Sequence, residues 1–99
     1  MGILDRLFNS NKGEQIEDFK SRGALIIDVR TPNEFRNGHV PGSKNYSLDE
    51  LRQHTKQIKS MNKPIIVCCA SGMRSAQAKT ILEKEEIEVI NGGGWRSLK

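Results

Sequence analysis

Ile65-Ile66-Val67-Cys68-Cys69-Ala70-Ser71-Gly72-Met73-Arg74-Ser75 is the stretch from which the rest of the chain is read. It opens, after Pro64, on a continuous apolar run through Cys68. Such a run is too short for a helix between these neighbours and has the pattern of a strand buried on both faces, as in a parallel sheet. Small residues and Gly72 interrupt it, and Ser75 to Lys84 then takes up helical spacing with Ala78, Ile81 and Leu82 inward. Strand, turn and helix in that order make the first half of a βαβ unit.

The same pattern recurs on either side. Upstream, Glu14 to Ser21 places Ile16 and Phe19 three apart, with Gly23 as a helix stop. Ala24-Leu25-Ile26-Ile27-Asp28-Val29 is a second apolar run and reads as another buried strand. Thr31 to Ser43 holds Pro32, Gly38, Pro41 and Gly42, which predict a loop with one helical turn around Glu34-Phe35. Ser47-Leu48-Asp49-Glu50 matches a capping box, and Leu48, Leu51 and Ile58 continue a helix from it. Downstream, Ile87, Val89 and Ile90 form a short third strand, ended by Asn91-Gly92-Gly93-Gly94. Alternating strands and helices imply an α/β fold with a central, mainly parallel sheet flanked by helices.

A chain of 99 residues supports one core. Residues 14–99 are expected to form a single domain, and residues 1–13 an N-terminal segment. There Ile3, Leu4, Leu7 and Phe8 share one face of a short helix that either docks on the domain or anchors a partner or membrane surface. Hydrophobic residues make up 35% and charged residues 28%, a globular balance. The formal net charge of +4 is spread over scattered Lys and Arg, which points to a solvated surface and away from nucleic acid. No apolar run approaches the roughly 20 residues of a membrane span. The N-terminus lacks a secretory pattern, so the expected compartment is cytoplasmic. The two cysteines, Cys68 and Cys69, are adjacent. A bond between neighbours would strain the backbone, so they are read as chemistry or core rather than as a staple.

Open α/β sheets bind ligands at the carboxyl ends of their strands, which singles out Cys69 to Arg74. A thiol at a strand end, a turn of small residues and a helix N-terminus form a nest of inward N–H groups that favours an anion. That field depresses a cysteine pKa, and Arg74 is expected to add a fixed positive charge where the loop closes. From an ordinary value near 8.5, a drop of about one to several units makes a nucleophile at neutral pH. Arg74→Ala is accordingly expected to raise the thiol pKa.

These residues resemble the rhodanese family. Cys69-Ala70-Ser71-Gly72-Met73-Arg74-Ser75 is similar to the family's active loop of Cys, two residues, Gly, one residue, Arg and Ser. Leu25 to Arg30, Glu34-Phe35 and Gly38-His39-Val40-Pro41-Gly42-Ser43 resemble an upstream hallmark, and Val89-Ile90-Asn91-Gly92-Gly93-Gly94-Trp95 the closing segment. The resemblance implies the family's three-layer fold and a sulfurtransferase whose Cys69 carries sulfur as a persulfide within a loop running from Cys69 to Arg74. It implies a small anionic donor such as thiosulfate and a thiol, protein thiol or cyanide acceptor. Amides from Ala70, Ser71, Gly72, Met73, Arg74 and Ser75 would stabilise the persulfide charge. The chemistry needs no metal, His base or organic cofactor, because sulfur is both nucleophile and leaving group. Family members use the positions of Asp28 and Arg30 to frame the pocket; a structural ion pair, such as Arg30 with Glu34, is the alternative. His39 matches a structural histidine. His54 is read as exposed in mid-helix.

Other readings remain open at this point. Cys68 is either core packing on the face opposite Cys69 or a resolving thiol, and Trp95 either caps the core or lines the mouth. Counted from Cys68, Cys-x5-Arg-Ser has the spacing of a Cys-dependent phosphatase or arsenate reductase, though Val67 and Ser71 stand where that pattern has His and Gly. A binding module without catalysis, or a redox-regulatory one built on an exposed reactive thiol, is the remaining class.

Overall fold

The computed structural model describes residues 11–99, so the proposed helix through Ile3, Leu4, Leu7 and Phe8 lies outside the described residues. Helix α1 (Lys12–Ser21) is capped by Asn11, whose side-chain oxygen accepts from the Glu14 amide at 2.8 Å. Strand β1 (Leu25–Asp28) follows, then the short α2 (Pro32–Arg36), β2 (Lys44–Asn45), a 3-10 helix (Leu48–His54) running into α3 (Thr55–Ser60), β3 (Ile65–Cys69), α4 (Met73–Lys84), β4 (Val89–Gly94) and a closing 3-10 turn (Trp95–Leu98). The four strands lie in the order β2-β1-β3-β4, with each neighbouring pair parallel.

Period-two alternation splits the strand residues between two cores. Ile27, Val29, Ile65, Val67 and Cys69 pack with Leu51, Ile58, Ala78 and Leu82 on one face. Ile66, Cys68 and Ile90 pack with Phe19, Val40, Trp95 and Leu98 on the other. The sheet is therefore covered on both sides, giving three layers. This is why β3 reads as an unbroken apolar run: all five of its residues are buried.

Three local expectations are corrected. Ser47 makes no side-chain cap; its carbonyl instead accepts from the Glu50 amide at 2.9 Å, an i to i+3 bond that winds the segment as a 3-10 helix and leaves His54 at its end, partly buried. The capping box lies at Thr31, where the hydroxyl accepts from the Glu34 amide and the Glu34 carboxylate accepts from the Thr31 amide, with Pro32 opening the helix. Strand β4 does not stop at Ile90 but runs through the glycines to Gly94. No helix among the described residues is long and apolar enough to cross a membrane.

Candidate functional site

Strand β3 ends at Cys69, and α4 begins four residues later at Met73, with Gly72 as its N-cap. Gly72 has φ 102°, a left-handed conformation that L side chains rarely adopt, and it turns the loop back over the strand end. Its N–H points inward and donates to Cys69 Sγ at 3.0 Å, while Ser75 Oγ stands 3.4 Å from the same sulfur. Burial pushes the Cys69 thiol up, but the Ser75 hydroxyl and the backbone amides of Ser75, Gly72 and Ser71 outweigh it, so the thiol lies below its ordinary value. Of the amides from Ala70 to Ser75 expected to turn toward the sulfur, those of Ser71, Gly72 and Ser75 hydrogen-bond it. Cys69 is only 1% exposed, whereas Met73, the first residue of α4, is 75% exposed.

Asn91, on β4, holds this loop from below. Its Nδ2 donates to the Gly72 carbonyl at 3.0 Å, and its Oδ1 accepts from Ser75 Oγ at 2.7 Å and from the Gly93 amide at 2.9 Å. Pairing of β3 with β4 slips between Val67 and Cys69, so that Val67 faces Asn91 while Cys69 faces Gly94. The slip brings Gly94 under the loop, where a Cβ would meet the Ala70 carbonyl oxygen at 2.9 Å. Gly94→Ala is thus expected to keep the fold but displace the loop, slowing alkylation of Cys69 at neutral pH roughly tenfold. An unchanged rate would show that this contact does not hold the loop.

Arg74 differs from expectation. Its guanidinium makes two parallel hydrogen bonds to the Glu34 carboxylate, at 2.7 and 3.0 Å. The loop's arginine is therefore half of an ion pair, and its charge reaches the sulfur as a dipole rather than as a free cation. Glu34, held down at about 2 mainly by Arg74 and then by the Thr31 amide, ties α2 to the loop. Because that value lies below the roughly 4.3 of an unfolded glutamate, the tie is complete above about pH 4.3 and is lost as pH falls through its folded value. Both side chains are more than a third exposed, so the pair orders the loop more than it stabilises the fold.

Arg30 pairs with Asp28 and not with Glu34. Arg30 Nε lies 2.9 and 3.0 Å from the two Asp28 carboxylate oxygens, and Nη2 donates to Oδ2 at 2.7 Å and to the Gly38 carbonyl at 2.7 Å. The guanidinium also stacks 4.6 Å from the Trp95 ring. By strand alternation these residues belong to the Cys68 face, so neither is brought to Cys69 Sγ. Cys68 is buried there, and desolvation, followed by the Asp28 charge, pushes its thiol up to about 12. Trp95 packs into the same core. His39 stacks on Phe35 at 3.7 Å and its Nδ1 lies 2.7 Å from the Phe35 carbonyl, a structural contact. Asn91 carries no mark in the sequence beyond its place at a strand end, whereas the Thr-x-x-Glu spacing from Thr31 to Glu34 is itself the signature of a capping box.

A family model described as Rhodanese-like domain matches residues 12–98. The chain is 39% identical over 82 residues to YqhL of Bacillus subtilis, an uncharacterized protein, covering 78% of this chain and 64% of that one, just under two thirds of its length. It is 32% identical over 92 residues to thiosulfate sulfurtransferase GlpE of Ectopseudomonas mendocina, covering 85% and 81%. A rhodanese-related protein of Thermoplasma volcanium shares the fold with a TM-score of 0.72 at 31% identity, over 89% of this chain and 86% of that one.

Proposed function

The chain belongs to the rhodanese-like domain family, and on that premise we propose that residues 14–99 act as one sulfurtransferase domain with Cys69 as the sulfur carrier. The observation that carries the reading is the Gly72 amide aimed at Sγ from 3.0 Å at the end of β3. Relatives named thiosulfate sulfurtransferase support it.

The Cys69 thiolate attacks the outer sulfur of the donor. With thiosulfate, the new S–S bond forms as the donor's S–S bond breaks, and sulfite leaves with the electron pair. The resulting persulfide carries one negative charge on its terminal sulfur, where preorganised N–H donors stabilise it. An acceptor thiolate or cyanide then attacks that sulfur and restores the Cys69 thiolate. Neither step needs a general base, because the attacking species is a thiolate, the form that Ser75 and the inward amides favour at Cys69. Ala70, Ser71, Met73 and Arg74 form the loop over the sulfur; Asp28 and Arg30 support it by fixing the sheet edge and Trp95 rather than by touching the donor.

A phosphatase using Cys68 is opposed by the position of that sulfur on the far face, in its protonated form. Incubation with thiosulfate and then cyanide is expected to release thiocyanate over repeated turnovers. No sulfur uptake from either thiosulfate or an alkyl persulfide would contradict the proposal and favour a binding module.

A further inference from the structure

We propose that Asn91 is a positioning residue for the sulfur on Cys69, holding at once two of the groups that hydrogen-bond it, the Gly72 peptide and the Ser75 hydroxyl. The inference rests on Cys69 as the sulfur carrier. Its basis is a closed ring. Sγ meets the Gly72 amide at 3.0 Å; the carbonyl of that same Gly72 meets Asn91 Nδ2 at 3.0 Å; Asn91 Oδ1 meets Ser75 Oγ at 2.7 Å; and Ser75 Oγ returns to Sγ at 3.4 Å. Asn91 supplies one donor and one acceptor in a fixed plane, which neither Leu nor Asp can do. The Gly93 amide, donating to Oδ1 at 2.9 Å, orients the amide group itself.

The ring accounts for how a flexible glycine turn presents a directed N–H. Gly72 alone has more conformational freedom than any other residue type. Anchoring its carbonyl to β4 fixes the plane of its peptide link to Met73, and the helix adds the Ala76 amide on the same carbonyl at 3.1 Å. The Ser75 hydroxyl has a single proton. With a neutral thiol that proton goes to Asn91, and Oγ accepts from S–H. With a thiolate or persulfide it turns to sulfur, and Asn91 Oδ1 keeps the Gly93 N–H, so no buried acceptor is left unmatched in either state. Asn91 thereby lets the site hold sulfur in two protonation states without rearranging the backbone.

The test is the pH dependence of iodoacetamide alkylation of Cys69 in the full chain, alongside thermal unfolding. Asn91→Leu is expected to melt cooperatively, to shift the alkylation midpoint up by about one unit, which is about tenfold slower reaction at a fixed pH below it, and to shorten the lifetime of the loaded persulfide. Asn91→Ser, too short to reach both partners, is expected to shift it in the same direction and serves if the leucine variant does not fold. The shift from Asn91→Leu should shrink in a Ser75→Ala background, because one of the two handles is then already gone. A midpoint unmoved or lowered in a folded variant, or equal shifts in both backgrounds, would overturn the proposal. Alkylation does not require sulfur transfer, so this outcome is distinguishable from failure of Cys69 to take up sulfur.

Discussion

Cys69→Ser is expected to take up no sulfur from thiosulfate, whereas Cys68→Ser should gain the mass of one sulfur atom per chain, both read by intact mass. The two thiols are neighbours in sequence but lie in different cores, Cys69 among Ile65, Val67 and Ala78 and Cys68 among Ile66, Trp95 and Leu98. Strand geometry alone separates them, since successive side chains project to opposite faces. Among the described residues, Cys69 and not Cys68 has an amide donor on its sulfur, from Gly72 at 3.0 Å. Cys68, pushed up to about 12 by burial, is a thiol at any physiological pH and lies on the face of the sheet opposite Cys69. Serine cannot replace Cys69, because an alcohol at the same place is neither ionised nor able to form a persulfide. Loss of uptake in Cys68→Ser with uptake retained in Cys69→Ser would move the chemistry to the other face and dissolve the account.

Asp28→Ala is expected to destabilise the fold by about 3–5 kcal/mol, read as a fall in denaturant midpoint with the slope unchanged. Asp28 is fully buried and Arg30 is 4% exposed. Removing the carboxylate leaves a guanidinium in the core with the Gly38 carbonyl as its remaining hydrogen-bond acceptor among the described residues. That is the costly half of the asymmetry between breaking a buried pair and replacing it outright. Removing a single buried aliphatic side chain costs about 2–5 kcal/mol, so this polar pair rivals a core residue in importance although it lies away from Sγ. Loss of less than about 1 kcal/mol would show that Arg30 escapes to solvent and that the pair does not brace the sheet edge.

Much of this was legible in the sequence because the signals were local. Buried parallel strands need apolar residues on both faces, so Leu25 to Val29 and Ile65 to Cys68 announced themselves. The loop from Cys69 to Ser75 was legible for the same reason, since strand, thiol, glycine and helix are contiguous. What escaped depends on partners distant in the chain. Arg74 looked like a free cation because nothing near it in sequence is acidic; its partner Glu34 is 40 residues away. Asn91 reads as the end of a strand because three glycines follow it, yet Gly94 is what lets β4 pass beneath the Ala70 carbonyl, and Gly92 what lets it lie against Ile66 and Leu98. Strand β2, at two residues, is too short to show any periodicity.

The most direct measurement is the reactivity of each cysteine toward iodoacetamide across pH, read peptide by peptide in the native protein. The account predicts a midpoint for Cys69 below that of a free thiol, set by Ser75 and the inward amides, and no reaction at Cys68 short of unfolding. A Cys69 midpoint at or above the free-thiol value, or labelling of Cys68 at neutral pH, would contradict it.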